Sequence, residues 1–311
     1  MHILVTGGAG FIGSHLSCYL SNRGYTITVL DDFSRSSNFG RRLLEEANVR
    51  IVEANILDKA RVRELAGKFD IVIHCAAYID AAESILMPEV YAEINVTGTV
   101  AMLKLSVDVG ACRFIYLSSA AVYGEPQIVP VPETHHTRPV NPYGASKLAG
   151  EIFVETFYRA YKLPYVILRL FNVYGPGQSE TYAGLIAKTI ARVLRNEPPI
   201  IYGSGEQTRD FVYVRDVVQA IEKTIVTENI CEIYNIGTGR EYRVKDVVNL
   251  ILELLGKREL RPIHYPPRPG DIQRSCADIT KARKMLNYEP QYDLRKGLEE
   301  TLSTIKHLAH R

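Results

Sequence analysis

Two sets of residues in this chain have types and spacings that could do chemistry. The first is the turn Thr6-Gly7-Gly8-Ala9-Gly10-Phe11-Ile12-Gly13. It reads as Gly-x-x-Gly-x-x-Gly through Gly7, Gly10 and Gly13 and, shifted by one, as Gly-x-Gly-x-x-Gly through Gly8, Gly10 and Gly13. Glycines so spaced between a strand and a helix permit a tight turn and a close approach of backbone to a pyrophosphate. The amides opening the helix then face the phosphates, where the helix dipole favours negative charge. A glycine cluster alone is often just a loop. Here it follows a strand, opens a helix and is followed by an acid, Asp31, at the end of the second strand. A carboxylate there accepts hydrogen bonds from the adenosine ribose and repels a 2′-phosphate, so NAD is expected rather than NADP. Arg35 lies close enough in sequence to compete with that preference, and a solvated loop acid is the plainer alternative for Asp31.

The second set lies farther along. The strand-like run Arg113–Leu117 ends in Ser118-Ser119-Ala120-Ala121-Val122-Tyr123-Gly124, and Asn141-Pro142-Tyr143-Gly144-Ala145-Ser146-Lys147 follows later. Tyr143 and Lys147 are four apart, so on a helix they share one face. A tyrosine, with a reference pKa of about 10, is a poor base at neutral pH. A lysine cation about 4 Å away is worth roughly 4 kcal/mol at an effective dielectric of about 20, and an oxidised nicotinamide adds potential of the same sign. Tyr143 is thus a candidate to carry a proton on or off a hydroxyl that Ser119 holds in line. Tyr-x-x-x-Lys alone is more often a surface pair. Its weight here comes from following a dinucleotide turn and a strand-end serine.

Bringing these residues together requires alternating strands and helices, and the patterning supplies them. His2–Thr6 is a short apolar run, and Phe11–Arg23 has helical spacing that stops at Gly24. Strands are expected at Thr26–Leu30, Val49–Ala54, Ile71–His74, Arg113–Ser118 and Tyr165–Leu170, and long helices at Pro88–Gly110 and Tyr143–Tyr161. That order predicts an α/β fold with a doubly wound parallel (Rossmann) sheet covered on both faces. After Asn172 the pattern loosens. Helices near Leu185–Arg195, Val214–Thr227, Val244–Leu255 and Leu294–His307 alternate with short strands and a loop containing Pro262, Pro266, Pro267 and Pro269. The expected organisation is an NAD-binding domain over residues 1–172 and a smaller α/β substrate-binding domain over residues 173–311. The two interleave if Glu232–Ile236 returns to the main sheet.

The 311 residues suffice for two modest domains or one large one. A net charge of +2 with scattered basic residues gives no footing for nucleic acid or a membrane surface. Apolar stretches such as Tyr165–Leu170 are strand-sized and the first residues carry no leader pattern, so a cytoplasmic protein is expected. The five cysteines (Cys18, Cys75, Cys112, Cys231, Cys276) read as reduced thiols with no metal site. Cys75 and Cys112 are expected to act as small apolar groups beside strands. His135 and His136 are adjacent in a polar, Pro-bounded loop and read as solvent-exposed, while His74 reads as structural or cofactor-lining.

Over essentially its whole length the chain resembles the extended short-chain dehydrogenase/reductases, and among them the nucleotide-sugar epimerases of the UDP-glucose (UDP-galactose) 4-epimerase type. The resemblance rests on the two sets above together with His74-Cys75-Ala76-Ala77, Leu168-Arg169-Leu170-Phe171-Asn172-Val173-Tyr174-Gly175-Pro176, Arg209-Asp210-Phe211-Val212 and Arg268-Pro269-Gly270-Asp271. It implies reversible oxidation of a UDP-hexose at C4 by tightly held NAD, with Tyr143 removing the 4-hydroxyl proton and a transient 4-keto sugar turning over inside the pocket. It implies cofactor contacts from Gly7, Gly10, Phe11, Ile12, Gly13, Asp31, Asn55, Ile56, Ala76, Asn95, Tyr143 and Lys147. Substrate contacts are implied for Ser119, Tyr143, Asn172, Arg209, Arg268, Asp271 and Ser275, with the arginine forks gripping the diphosphate. Asp271 either bonds the UDP ribose or orients Arg268, and Asn95 either supports the Lys147 region or simply packs its helix. The long helices from Pro88 and Tyr143 resemble those that pair in the family's dimers, so a homodimer is expected.

Three positions depart from the family pattern. Asn55 stands where an acid commonly follows the third strand, Ile79 where a lysine commonly follows the fourth, and Ser275 where some members carry a bulky tyrosine. A small residue at 275 leaves room for an N-acetyl group at C2, so UDP-GlcNAc and UDP-GalNAc are expected beside UDP-Glc and UDP-Gal. The family's dehydratases carry an Asp–Glu pair where this chain has Ala120 and Ala121. UDP-glucuronate decarboxylation or uronate 4-epimerisation remains the nearest alternative. A non-catalytic NAD-sensing protein is the alternative from another class, opposed by the intact Ser119, Tyr143 and Lys147.

Overall fold

The computed structural model describes residues 1–309, apart from Ala66, Lys68, Ala183, Pro269 and the side chain of Ala309. Pro269, part of one sequence motif, therefore lies outside the described residues. The first half alternates β1 (His2–Thr6), α1 (Phe11–Asn22), β2 (Thr26–Asp31), α2 (Asn38–Glu46), β3 (Arg50–Glu53), α3 (Lys59–Glu64) and β4 (Ile71–His74). It continues through α4 (Ala81–Leu86), α5 (Pro88–Ala92), α6 (Gly98–Asp108), β5 (Arg113–Ser119), α7 (Pro142–Tyr161) and β6 (Tyr165–Leu170). The single helix expected over Pro88–Gly110 holds a π-turn at Glu93–Thr97 between α5 and α6, which spacing alone did not reveal.

Strand residues divide by parity between two cores, as a pleated backbone requires. Ile3, Val5, Ile71, Ile73, Ile115, Leu117, Val166 and Leu168 join one cluster with Leu16 and Leu20 of α1. Leu4, Val72, Phe114, Tyr116 and Ile167 join the other with Met102, Leu103, Val154 and Phe157. Both faces are therefore buried, which explains why these strands read as near-continuous apolar runs.

The second half contributes β7 (Asn172–Tyr174), α8 (Leu185–Leu194), β8 (Ile200–Tyr202), β9 (Thr208–Arg209), β10 (Phe211–Tyr213), α9 (Val214–Val226) and β11 (Glu232–Ile236). It ends with β12 (Tyr242–Arg243), α10 (Val244–Leu254), β13 (Ile263–Tyr265), α11 (Thr280–Leu286) and α12 (Leu294–Ala309). The main sheet runs β11-β6-β5-β4-β1-β2-β3, and every neighbouring pair is parallel. Thus β11 pairs with β6 as the seventh strand, and α9 packs on β5, β6 and α1. A separate small core of Val193, Ile201, Val244, Val248 and Leu252 joins α8, β8 and α10. The strand order reverses between β1 and β4, and a doubly wound sheet opens its ligand crevice at such a point.

Helix α7 begins where Asn141 caps it, its side chain accepting from Gly144 N–H at 2.8 Å, with Pro142 in the first turn. It lies close against β5 at Gly150, where an added Cβ would stand 2.1 Å from the buried Tyr116 hydroxyl. Gly150→Ala is expected to cost about 1–3 kcal/mol through overpacking, seen as a lower urea midpoint; an unchanged midpoint would show that α7 can retreat without loss.

Candidate functional site

The crossover loops above the sheet enclose one cavity of about 840 Å³. Its walls include Gly7, Gly10, Phe11, Ile12, Gly13, Asp31, Asn55, Ile56 and Ala76 at one end. Ser119, Tyr143, Lys147, Asn172, Arg209, Arg268, Asp271 and Ser275 line the same space. Of the site residues picked out by sequence, Asn95 alone is not in the lining. It is buried in the π-turn behind the cleft, bonding the Tyr78 backbone N–H (2.8 Å) and C=O (2.9 Å) and the Ser146 hydroxyl (2.9 Å). Its place is that of a brace between α7 and the segment after β4.

The glycine turn is shaped for a dinucleotide. Gly7 has φ +64°, and a Cβ on Gly13 would stand 2.2 Å from Gly7 O, so helix and turn touch through bare backbone. The Gly10 N-cap offers no side chain, and the first amides of α1 have no intrahelical acceptor. Asp31 faces the cleft with Oδ2 accepting from Ala9 N–H (2.9 Å) and Oδ1 from Phe33 N–H (2.8 Å). Burial raises its pKa while those backbone donors oppose the rise. That is not a solvated loop acid. Arg35 forks onto Glu83 at 2.6 and 3.0 Å, so its charge is already engaged and does not favour a 2′-phosphate. Asn55 is engaged as well, donating to Asp32 (2.6 Å) and accepting from Leu57 N–H (2.9 Å).

At the middle of the cleft, the end of β5 and the first turns of α7 converge. Ser119 accepts from Ala121 N–H at 3.1 Å as the chain enters a 3₁₀ turn, Ala120–Val122. The Lys147 ammonium is buried over the face of Tyr116, 4.7 Å from the ring centroid. Desolvation lowers its pKa to about 8, opposed by Cys75 and Glu151. Glu151, one turn on, is itself gripped by Arg169 (2.7 and 3.0 Å) and the Ser118 hydroxyl (2.5 Å). For Tyr143 burial works against the ionisation expected from sequence. Burial raises the phenol's pKa above its ordinary value and contact with Ser119 pulls it back, while Lys147 makes no resolved contribution.

Toward the smaller lobe, Arg209 donates to the Thr208 and Ile272 carbonyls (2.8 and 2.6 Å) and to Asp271 (2.6 Å). Burial lowers its pKa, with Asp271 opposing. Asp271 therefore holds Arg209, not Arg268 as one reading had it. Arg268 stacks on Tyr202 at 3.8 Å and has no acidic partner among the described residues. Sequence reading missed Tyr202 and Lys188, which also line the cleft. The available signal for Lys188 was a lone cation in the apolar opening of α8, Leu185-Ile186-Ala187-Lys188.

Three histidine and cysteine readings are also settled. His135 is buried, against expectation: its Nε2 accepts from Gln127 N–H (3.1 Å) and its Nδ1 reaches the His136 carbonyl (2.7 Å), so only His136 is exposed. Cys112 is exposed rather than packed as an apolar group. His74 is structural, with its two ring nitrogens bonded to Thr6 and Thr99, and burial lowers its pKa to about 3.

A parallel doubly wound sheet that brings a glycine turn, a strand-end serine and a Tyr143/Lys147 pair to one cleft defines an extended short-chain dehydrogenase/reductase. The chain belongs to the GDP-mannose 4,6 dehydratase family, the match running over residues 4–301. It is similar to the UDP-glucose 4-epimerase of Thermotoga maritima, solved with UDP-glucose, at 37% identity and a TM-score of 0.94, covering 99% of this chain and 100% of that one. It is also similar to the UDP-glucuronic acid 4-epimerase of Bacillus cereus, solved with UDP-glucuronic acid and NAD, at 31% identity and a TM-score of 0.92 over 99% and 100% of the two chains. The human dTDP-D-glucose 4,6-dehydratase is 33% identical over 99% of this chain and 91% of its own. The relatives thus span several nucleotide-sugar reactions, and solved homologues include complexes with NAD.

A buried lysine whose pKa falls from 10.5 to about 8 destabilises the fold by roughly 3 kcal/mol at neutral pH. Between pH 8 and 10.5 the unfolded chain holds more protons here than the folded one, so stability from this group rises with pH. Lys147→Met is accordingly expected to raise the thermal midpoint at pH 7, with the advantage shrinking toward pH 10. A constant difference across that range, measured by calorimetry, would contradict it.

Proposed function

We propose that the chain is an NAD-dependent UDP-hexose 4-epimerase acting on UDP-Gal and UDP-Glc, with UDP-GalNAc and UDP-GlcNAc also accepted. The observation that carries this reading is the meeting of Ser119, Tyr143 and Lys147 in the same cavity as the arginines Arg209 and Arg268. The glycine turn, the uncapped start of α1 and Asp31 fit a dinucleotide. When bound, oxidised NAD supplies reversible oxidation at the sugar C4 and a positive charge that favours the phenolate. Tyr143 then takes the 4-hydroxyl proton and later returns it, while Ser119 holds the hydroxyl in line. The Lys147 ammonium, dry and fixed over Tyr116, would bond the nicotinamide ribose. Arg209, held by Asp271, and Arg268, held by Tyr202, grip the diphosphate so that the 4-keto sugar can turn without leaving. Dehydration lacks its acid and base, because Ala120 and Ala121 place methyl groups on the cleft wall. Ser275 leaves space beside C2.

Incubation of the purified protein with UDP-Gal and, separately, UDP-GalNAc is expected to yield equilibrium mixtures with the gluco epimers, and Tyr143→Phe to lose activity by at least about 100-fold. Turnover of UDP-Gal but not UDP-GalNAc would remove the role of Ser275. Conversion of UDP-glucuronate alone would favour the uronate reading, and full activity of Tyr143→Phe would end the catalytic assignment.

We also propose a homodimer. Ile85, Leu86 and Met87 at the end of α4 and Ile152 and Phe153 of α7 are exposed, Leu86 by 81% and Ile152 by 58%. Exposed apolar side chains on two helices that pack together mark an interface. Light scattering is expected to report twice the chain mass, falling to one for Ile152→Glu; a wild-type monomer would refute the proposal.

A further inference from the structure

The wall of the cleft beside the glycine turn lacks a free cation at Ile79, yet a cation is built into it from elsewhere. Arg35, in the connection between β2 and α2, reaches Glu83 of α4 in a two-point fork, Nη1 to Oε2 at 2.6 Å and Nη2 to Oε1 at 3.0 Å. Its guanidinium lies between two rings, 3.4 Å from the Tyr78 centroid and 4.2 Å from that of Tyr182, which belongs to the segment before α8. The Tyr91 hydroxyl donates to the same Glu83 carboxylate at 2.8 Å. Three segments distant in sequence are thereby tied at one point, and Arg35, Tyr78 and Tyr182 all line the cavity.

The topology shows what this tie crosses. In the sheet, β1 lies between β2 and β4. A link from the loop after β2 to the helix after β4 therefore arches over the loop after β1, which is the glycine turn. We infer that Arg35 and Glu83 form a strap across the dinucleotide site, closed by Tyr78 and Tyr182, that governs how slowly bound NAD leaves. This rests on the cofactor reading above and deepens it. Because Glu83 neutralises the guanidinium, the strap encloses the site without presenting free positive charge to a 2′-phosphate. The arrangement costs little to open: an ion pair at the rim, partly exposed, can part without disturbing either core. It also gives the release step a signature, since a rim ion pair is weakened by salt.

The test is the rate at which preloaded NAD is lost on dilution into an enzymatic trap for free NAD, measured for the wild type, Arg35→Met, Glu83→Gln and the double variant. Each single variant is expected to release NAD about tenfold faster, the double variant no faster than the singles, and raised salt to speed release from the wild type alone. Variant rates equal to the wild-type rate, or effects of the two substitutions that multiply, would overturn the strap while leaving the cofactor reading intact. A wild-type chain that retains no NAD, although folded by circular dichroism, would overturn the cofactor reading and the strap with it.

Discussion

The site depends on keeping an ammonium group charged where little water reaches it. Lys147 is buried against the face of Tyr116, and its nearest formal countercharge is Glu151, a turn along the same helix. Glu151 could not sit there unsupported, since an isolated buried carboxylate is costly. Arg169 from β6 and Ser118 from β5 satisfy it, and Arg169 is in turn bonded to Tyr123 and the Glu133 carbonyl. The charge at the cleft is thus balanced by a chain of partners reaching through the sheet. Removing Arg169 would leave the Glu151 carboxylate buried without its cationic partner on β6, a far larger cost than the pair's net worth.

The two residues proposed to meet the substrate hydroxyl are fixed by opposite means. Ser119 is set by the end of β5, a strand buried between its two ends, where it pairs with Leu170 of β6. Tyr143 is set by a helix start, capped by Asn141 and braced through Ser146 by Asn95. The π-turn has a use in this light, because it carries Asn95 into contact with both α7 and the segment leaving β4.

Much of this was legible from sequence because it is local. Glycine spacing, an acid at a strand end and a tyrosine four residues before a lysine depend only on the period of the element that carries them. The parallel sheet was equally readable from Ile71–His74 and Tyr165–Leu170, whose near-continuous apolar runs have meaning only with both faces covered. What escaped depends on contacts between distant segments. Nothing near Asp271 says that it will meet Arg209 instead of Arg268, and nothing near Arg35 announces Glu83, 48 residues away. His135 was misread for the same reason: a polar loop becomes interior only when Tyr123 and β11 close over it. The desolvation of the Tyr143 phenol is likewise invisible in spacing.

The late arrival of β11 has a bearing on how the molecule is made. As the chain leaves the ribosome, β1 to β6 can assemble once Leu170 is free, yet the flank of β6 then lies bare, and α9 has not come to cover β5 and β6. A naked parallel edge invites pairing with the wrong neighbour. Some sixty further residues have to emerge before Glu232–Ile236 seals it, several seconds at ordinary speeds of synthesis. Nascent chains of this protein therefore pass through a window in which a nearly complete parallel sheet has an open edge, and that is where a chaperone would find it.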